Sequence, residues 1–432
     1  MKKLIKILQG RIIDPSRGLD QIGDLYILED RIIDPNTLDA AERYEIEEIP
    51  AGGKIVAPGL IDIHVHLREP GQTAKETIAT GALAAAVGGY TTIVAMPNTQ
   101  PVVDHPSVVS WVRQRAAETA CVNVLPSACL SQGAEGERLA PMASLKAAGV
   151  VAFTDDGRCI QNNELMRRAM EYAAMLGVPV MDHCQDYSLT QGAVMHEGEW
   201  SVRLGLRGWP SIAEEIIVAR NILLCEMTGA RVHCQHLSSA GSVRLIREAR
   251  ARGLPISAEV TPHHLSFTDA ELRDYDTLYK VNPPLRTGED RLALLEGVID
   301  GTISILASDH APHCGYEKEV EFDLAPFGMI NLETQLAVYI QLFIESGRLS
   351  WLQLLDKLTT QPAALLGLKN KGTLADGADA DVTIIDPHVD WEATDETFRS
   401  KSRNTPFLNR KFRGRAIRTI VAGKTVWDEG RG

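Results

Sequence analysis

The sequence predicts an α/β protein: a (β/α)8 TIM-type barrel with a small β-sandwich domain formed from both chain ends. Three observations predict it. The chain has 432 residues, a length that suits a large barrel with an appended domain. Between about residues 55 and 370, apolar β-branched runs alternate with helical patterns, as the units of a parallel barrel do. Both chain ends instead read as short strands and turns.

The barrel prediction depends on eight apolar runs separated by helical patterns. Continuous apolar runs of this kind are typical of strands that are buried on both faces. The strand candidates are residues 55–66, 91–97, 122–126, 150–154, 178–184, 231–237, 256–262 and 303–310. We therefore assign residues 56–371 to the barrel.

Two of the intervening helices have recognisable ends. Ser211 and Glu214 have the spacing of a capping box, and the run that they open ends at Gly229. Asn163 is a candidate cap for the amphipathic run 165–176, which Gly177 stops.

The two chain ends are predicted to pair into one small β-rich domain, residues 1–55 with 372–432. Residues 381–387 and 417–423 are β-branched runs bounded by turn residues. Residues 1–55 have the same character, so pairing of the two ends accounts for both segments.

Composition excludes several classes of function. The net charge is 44 − 57 = −13, and neither nucleic acid nor an anionic membrane is a predicted partner, because both need a basic surface. No apolar run reaches the ~18 residues that span a bilayer, and the start of the chain does not read as a signal peptide. The seven cysteines are scattered and lack a CxxC pair, which predicts a reduced, cytoplasmic setting.

The first barrel strand ends in two histidines, His64 and His66. Side chains two apart on a strand point the same way, so the two imidazoles can bind one ion. Arg68 follows on the same face and can hold an anionic group beside that ion. A pair of half-buried packing histidines is the alternative for this motif taken alone.

Further polar side chains follow the other strands, and barrel enzymes keep their active sites at these carboxyl ends. An isolated histidine at such a place is more often a packing residue, but packing does not account for polar residues at seven of eight strand ends. The candidates are Asn98, Asp155, Asp156, His183, His236, Asn282, Asp309 and His313. Four more histidines lie near strand ends but are expected to have supporting roles: His233 and His310 are out of phase with His236 and Asp309, and structural hydrogen bonding is the favoured role of His263 and His264.

Imidazole and carboxylate groups in one cluster suit zinc. Two ions ~3.5–4 Å apart can share a hydroxide, because metal binding lowers the pKa of water to about 7. A neighbouring carboxylate can then move a proton to or from a nitrogen. The cluster therefore predicts amide hydrolysis or its reverse, ring closure.

With these residues in place, the chain resembles the amidohydrolase superfamily and, within it, the dihydroorotases. The resemblance lies in residues 62–71 (DIHVHLREPG) and 307–313 (ASDHAPH), which are specific signatures of that family. It extends to the middle strand ends and the flanking β-rich ends, so it covers nearly the whole chain.

The resemblance implies two zinc ions per subunit and a role for each ligand. His64, His66 and Asp309 would hold the first ion, and His183 and His236 the second. Many relatives bridge the ions with a carboxylated lysine, but no lysine lies between Gly149 and Gln161. Asp155-Asp156 stands there instead, as in the long-chain, type I dihydroorotases. We expect Asp156 to be the bridge, although strand alternation does not decide between the two aspartates.

The resemblance also implies how substrate is held. Arg68, Asn98 and His313 would hold the substrate carboxylate, and Asn282 with the backbone of Phe327 and Gly328 would contact the ring. His66 is a further candidate for substrate binding. Residues 314–325 contain charge and few apolar anchors, which fits a mobile lid or a solvated loop.

The implied activity is the zinc-dependent interconversion of N-carbamoyl-L-aspartate and (S)-dihydroorotate in pyrimidine synthesis. In the hydrolytic direction, hydroxide shared by the ions would attack the ring amide while Asp309 shuttles the proton. A cyclic amidase of the hydantoinase, dihydropyrimidinase or allantoinase type is an alternative, although such relatives usually keep the bridging lysine. A non-catalytic partner of aspartate transcarbamoylase is the other. The resemblance further implies a homodimer, with association to that transcarbamoylase left open.

Overall fold

The computed structural model describes residues 1–39 and 41–431. Its strands are β1 (Lys2–Asp14), β2 (Leu19–Leu28), β3 (Arg31–Ile33), β4 (Tyr44–Pro50), β5 (Ile55–Pro58), β6 (Leu60–Val65), β7 (Tyr90–Ala95), β8 (Asn123–Pro126), β9 (Val180–Asp182), β10 (Met195–His196), β11 (Gly208–Trp209), β12 (Val232–Cys234), β13 (Ile256–Val260), β14 (Ile305–Leu306), β15 (Val382–Glu392), β16 (Lys411–Val421) and β17 (Lys424–Asp428).

Helices fill most of the intervals between barrel strands. The α-helices are α1 (Ile78–Gly88), α2 (Pro106–Thr119), α3 (Met142–Ala148), α4 (Asn163–Leu176), α5 (Tyr187–Thr190), α6 (Glu199–Leu204), α7 (Ile212–Thr228), α8 (Ala240–Ala251), α9 (Pro262–Ser266), α10 (Gly288–Ile299), α11 (Gly315–Lys318), α12 (Gln335–Tyr339), α13 (Trp351–Leu358) and α14 (Thr360–Leu366). Short 3-10 helices are Pro15–Arg17, Pro35–Thr37, Gln132–Ala134, Asp269–Asp274, Thr277–Tyr279 and Glu429–Arg431, and Ile340–Glu345 is a π-helical turn. None of the helices in residues 1–39 and 41–431 combines the length and the apolar character that crossing a bilayer requires.

The middle of the chain closes into the predicted parallel barrel. Strands β6, β7 and β8 form one arc, and β9, β12, β13 and β14 form the other. Phe153 joins the arcs through bridges to Ala128 and Val180, and a bridge between Val65 and His310 closes the ring. All strands of the ring run parallel, so their carboxyl ends meet at one face.

The fourth predicted strand, residues 150–154, does not form a regular ladder. Its backbone still bonds to both neighbours, with Val151 N donating to Pro126 O at 3.0 Å and Phe153 O accepting from Met181 N at 2.9 Å. The segment is short because Gly149, with φ 107°, caps helix α3 just before it. The loop that carries Asp155 and Asp156 follows at once.

The first predicted strand, residues 55–66, is two strands rather than one. Strand β5 pairs with β1 and β15, whereas β6 pairs with β7 in the barrel. The break falls at Gly59, where an added Cβ would lie 2.1 Å from the Thr91 hydroxyl oxygen. Only a glycine lets the chain pass this close to strand β7.

The two chain ends form one sheet, as predicted. Its strand order is β17-β16-β15-β5-β1-β2-β3, with β4 paired to β1. Inward-facing aliphatic side chains from both ends, such as Ile5, Ile27 and Ile384, share one buried cluster. The boundaries at residues 55 and 372 remain a prediction.

Helix α1 joins this sheet to the barrel. Its alanines are buried on almost every side, as expected for a helix enclosed by protein. The hydroxyl of Thr419 donates to Ala86 O at 2.7 Å, and that of Thr383 donates to Gly89 O at 2.6 Å. The sheet therefore fixes the helix that follows the first barrel strand.

Both predicted helix caps need correction. Asn162, not Asn163, caps α4 by accepting from the amides of Glu164 and Leu165. Ser211 makes no capping side-chain bond to α7. Glu214 is buried and instead accepts from the amides of Ser238 and Ser239, so it holds the loop after β12.

Candidate active site

The first barrel strand carries His64 and His66 to the carboxyl face. Asp62 is buried beneath them and accepts from the amides of His64 at 3.0 Å and Ser308 at 3.1 Å. This carboxylate ties the first strand to the eighth, where Asp309 follows. Burial raises the pKa of Asp62 to about 7.

Three candidate ligands meet at this point. His66 Nε2 lies 3.0 Å from Asp309 Oδ1, and His64 Nε2 lies 3.5 Å from the same oxygen. The positive φ of Asp309, 45°, is uncommon outside glycine, and backbone strain of this kind concentrates at functional sites.

The second predicted pair, His183 and His236, lies beside the first. His183 Nδ1 is 2.8 Å from His236 Nε2, and on the far side of its ring His183 Nε2 lies 3.0 Å from Gln185 Oε1. An amide oxygen there favours a proton on Nε2, which leaves the Nδ1 lone pair facing His236. Burial, together with His183 and His64, lowers the pKa of His236 to about 3, so its ring is neutral at pH 7 and suited to metal ligation.

Asp156 sits between the two histidine pairs. Its Oδ1 lies 3.3 Å from His64 Nε2 and 3.8 Å from both His183 Nδ1 and His236 Nε2. Its Oδ2 is 3.4 Å from His66 Nε2. Burial raises the pKa of Asp156, but the surrounding histidines outweigh that effect and hold it well below its usual value.

Asp155 points away from the histidines. Its carboxylate accepts from the amides of Leu130 at 2.7 Å and Ser131 at 3.1 Å, and from the Ser131 hydroxyl. The structure therefore brings Asp156, and not Asp155, to the ligand cluster.

Glu259 is a buried carboxylate that the sequence reasoning missed. Its Oε1 lies 2.6 Å from His64 Nδ1 and accepts from the amide of His236 at 3.2 Å, while its Oε2 lies 3.0 Å from His233 Nε2. A carboxylate on one ring nitrogen orients the other toward a metal. Burial raises the pKa of Glu259, but His64 and His233 outweigh it and bring the pKa to about 2. The sequence did contain a signal for Glu259, because it is a single acidic residue within the apolar run of strand β13.

The cluster fits a divalent metal pair. His64 Nε2 is buried without a hydrogen-bond partner among the described residues, although such a nitrogen is normally satisfied. Candidate ligand atoms fall into two groups, each within 4.8 Å: His64, His66 and Asp156, and then Asp156, His183 and His236. Imidazole and carboxylate donors in these numbers are typical of zinc and related ions.

Arg68 lies next to the cluster with almost its whole side chain buried. Its Nε donates to Pro312 O at 3.1 Å, and its Nη2 lies 3.4 Å from His313 Nε2. Its φ of 57° turns the chain sharply after the histidine pair. A buried guanidinium that lines a cavity is a binding group for a carboxylate.

The neighbouring predicted residues have other partners as well. Asn98 Oδ1 lies 2.9 Å from His66 Nδ1, so Asn98 also orients that ligand. His313 Nε2 is 2.8 Å from Phe327 O, which requires a proton on that nitrogen. Burial and then Arg68 lower the pKa of His313 to about 2, so the ring is neutral. Asn282 Oδ1 is buried without a hydrogen-bond partner among the described residues.

These side chains surround one cavity of about 340 Å³. The volume suits a small polar ligand. Its lining includes His66, Arg68, Asn98, Asp156, His183, His236, Asn282, Asp309, His313, Phe327 and Gly328. Of the residues predicted to bind metal or substrate, all but His64 therefore line this one cavity.

Residues 314–328 form one wall of this cavity. They begin with the short helix α11 and end with Pro326, Phe327 and Gly328, which line the cavity. The predicted mobility of residues 314–325 stays a prediction.

The barrel fold and the histidine–carboxylate cluster together define the class of this protein, which is a metal-dependent hydrolase of the amidohydrolase type. Residues 53–242 match the family model described as dihydro-orotase-like, and residues 219–427 match the amidohydrolase family model.

Curated relatives make the assignment narrower. The chain is 50% identical to a dihydroorotase of Pelotomaculum thermopropionicum, covering 99% of each chain. It is 46% identical to a dihydroorotase of a Geobacter species, covering 100% of each chain. The chain therefore belongs to the dihydroorotase family and is a cyclic amide hydrolase.

Solved structures share the fold at lower identity. The L-hydantoinase of Arthrobacter aurescens superposes with a TM-score of 0.86 at 25% identity, covering 99% of this chain and 96% of that one. The dihydropyrimidinase of Brevibacillus agri gives a TM-score of 0.84 at 25% identity, covering 99% and 95%. These neighbours confirm the predicted architecture, a barrel with a β-sandwich domain.

Proposed function

We propose that this site performs the family's reaction, the reversible cyclisation of N-carbamoyl-L-aspartate to (S)-dihydroorotate in pyrimidine synthesis. The observation that carries the proposal is the buried Arg68 guanidinium beside a histidine–carboxylate cluster in one small cavity. Both molecules carry a carboxylate that takes no part in the bond change, and a guanidinium fork is its natural partner.

His64, His66 and Asp309 would hold one zinc ion, His183 and His236 the other, and Asp156 would bridge them. Zinc, when bound, supplies Lewis acidity and lowers the pKa of water to about 7. Glu259, Asn98 and Gln185 act behind these ligands by fixing the ring orientation of His64, His66 and His183.

Asp309 is the group that moves the proton. In hydrolysis, water oxygen joins the ring carbonyl carbon, the C–N amide bond breaks, and the nitrogen takes a proton. Asp309 lines the cavity, so its carboxylate can receive the proton from water and deliver it to the nitrogen. Ring closure runs through the same steps in reverse.

The other lining residues hold the substrate. Arg68 with Asn98 and His313 binds the carboxylate, and Asn282 with the backbone of Phe327 and Gly328 binds the ring. His66 faces the cavity and contributes to binding as well as to metal ligation. A neutral His313 that donates to the Phe327 carbonyl leaves the positive charge of the pocket to Arg68.

We further propose a cytoplasmic homodimer, which is what the family resemblance supports. Association with aspartate transcarbamoylase is a separate proposal with the same support. Light scattering of the purified chain, alone and with the transcarbamoylase of the same organism, would test both.

The decisive experiment measures zinc-dependent turnover of dihydroorotate and carbamoyl aspartate beside dihydrouracil, hydantoin and allantoin. We expect turnover of the carboxylated pair only, and a loss of about 10²–10⁴-fold in Asp309→Asn. Asp274→Asn, an exposed carboxylate elsewhere on the barrel, is the matched control. Turnover of uncharged rings would overturn the proposed substrate, and full activity of Asp309→Asn would overturn the proton role.

A further inference from the structure

Two buried lysines fasten the loop of residues 314–328, which forms a wall of the catalytic cavity. Lys318 is 5% exposed and Lys280 is 2% exposed. Neither lysine belongs to the catalytic cluster described above, and burying an ammonium group is costly. Their position therefore calls for an explanation.

Lys318 connects the loop to the segment that precedes Asn282. Its Nζ donates to the carbonyls of Thr277 at 3.0 Å, Lys280 at 3.4 Å and Pro326 at 2.7 Å. In return, the Thr277 hydroxyl donates to Lys318 O at 2.5 Å. One ammonium group thus joins the start of the loop, its end and the neighbouring segment.

Lys280 makes the reciprocal connection. Its Nζ donates to Phe322 O at 2.6 Å and Asp323 O at 3.1 Å, in the middle of the loop. It also lies 4.8 Å from the centre of the Phe327 ring, a cation–π distance. The Lys280 carbonyl accepts from the amide of Gly328 at 2.9 Å.

The cavity wall itself is fixed at three consecutive carbonyls, each by a different side chain. These bonds are Lys318 Nζ to Pro326 O at 2.7 Å, His313 Nε2 to Phe327 O at 2.8 Å, and Asn404 Nδ2 to Gly328 O at 3.1 Å. These three side chains therefore fix the orientation of the peptide groups of Pro326, Phe327 and Gly328, which line the cavity.

Stability alone does not account for the lysines. All five ammonium hydrogen bonds, three from Lys318 and two from Lys280, end on neutral backbone carbonyls. An apolar side chain of the same length would avoid the cost of desolvating the charge. What a methionine would not provide is a donor that holds several carbonyls in one orientation.

We propose that Lys318 is a positioning residue for the reaction: with Lys280 it clasps residues 314–328 onto residues 277–282 and so sets the Phe327–Gly328 wall against the substrate ring. The proposal rests on the proposed function of that wall. Lys318 does not reach the reacting atoms, so it acts through substrate binding rather than proton transfer.

The test compares Lys318→Met with wild type in steady-state kinetics. We expect KM for dihydroorotate to rise about tenfold while kcat changes less than about threefold, because binding to the wall is lost and Asp309 is untouched. Lys357→Met is the matched control, since Lys357 is also buried and donates to a carbonyl, Ile303 O, at the opposite end of the barrel. An unchanged KM in Lys318→Met, or an equal rise in the control, would overturn the proposal.

A milder variant and a substrate-free measurement cover the case in which Lys318→Met does not fold. Thr277→Ala removes the hydroxyl that bonds to Lys318 O, together with the γ-methyl group, but leaves the Lys318 ammonium in place, and we expect a smaller rise of KM. Hydrogen exchange at residues 322–328 should accelerate in either variant and not in Lys357→Met. Unchanged exchange and KM in Thr277→Ala would count against the clasp, whereas a wild type without dihydroorotate turnover would contradict the proposed function instead.

Discussion

Asp155 and Asp156 are adjacent in sequence, but their carboxylates have different surroundings and different expected roles. Asp156 faces the histidines, and Asp155 accepts hydrogen bonds from the loop of Leu130 and Ser131. Burial raises the pKa of Asp155 to about 6, whereas the histidines hold that of Asp156 well below its usual value. The two side chains therefore face opposite ways in the loop that follows the fourth barrel segment.

Replacing each aspartate by asparagine should therefore give different defects. We expect Asp156→Asn to lose metal, because the bridging charge is gone, with little change in unfolding free energy of the metal-free protein. Asp155→Asn should keep its metal but lose about 1–3 kcal/mol of stability, since an amide nitrogen would face backbone donors. Metal content after dialysis and urea unfolding measure the two effects. Equal metal loss in both variants would refute the assignment of Asp156.

At the scale of single elements, Gly59 decides where the end sheet stops and the barrel starts. Strands β5 and β6 are contiguous in sequence but belong to different sheets. The chain changes sheets while it passes against Thr91 of strand β7. Any side chain at position 59 would collide with Thr91 and push the start of strand β6 away from strand β7.

We expect Gly59→Ala to destabilise the protein by about 1–3 kcal/mol, the usual cost of overpacking a rigid site. Gly52→Ala is the control, because an added Cβ there meets nothing within 4 Å. Thermal unfolding of both variants with metal bound measures the difference. If Gly59→Ala were as stable as the control, strands β6 and β7 could move apart at little cost, and the prediction would be wrong.

At the scale of the whole molecule, buried charges far from the cavity contribute to the pH dependence of folding. Lys357 in helix α13 donates to Ile303 O at 3.1 Å. Burial lowers its pKa from 10.5 to about 8. Between these two pH values the unfolded chain binds a proton that the folded chain does not, so stability rises with pH through this window.

Lys357→Met should remove that contribution. We expect the unfolding free energy of wild type, minus that of the variant, to increase as pH rises from about 8 to about 10. Urea unfolding of both proteins under identical metal conditions gives the difference directly. A difference that is flat or falls with pH would mean that Lys357 keeps its charge when folded.

The sequence by itself determined the barrel, the pairing of the chain ends and most of the cavity lining. His64, His66, His183, His236 and Asp309 follow strands whose apolar runs are local signals, and parallel strands bring their carboxyl ends together whatever the details of packing. The family signature at residues 62–71 can also be recognised from the sequence, because all its residues are contiguous.

Only the tertiary structure decided which groups support those residues from behind. Glu259 reaches His64 across the barrel, and Lys318 reaches the carbonyls of Thr277 and Lys280 from a different loop. Such partners are far apart in sequence and carry no periodic pattern. The split of residues 55–66 at Gly59 likewise depends on a contact with Thr91. A local sequence pattern fixes the direction of a strand and its faces, but three-dimensional packing selects the neighbour that each face meets.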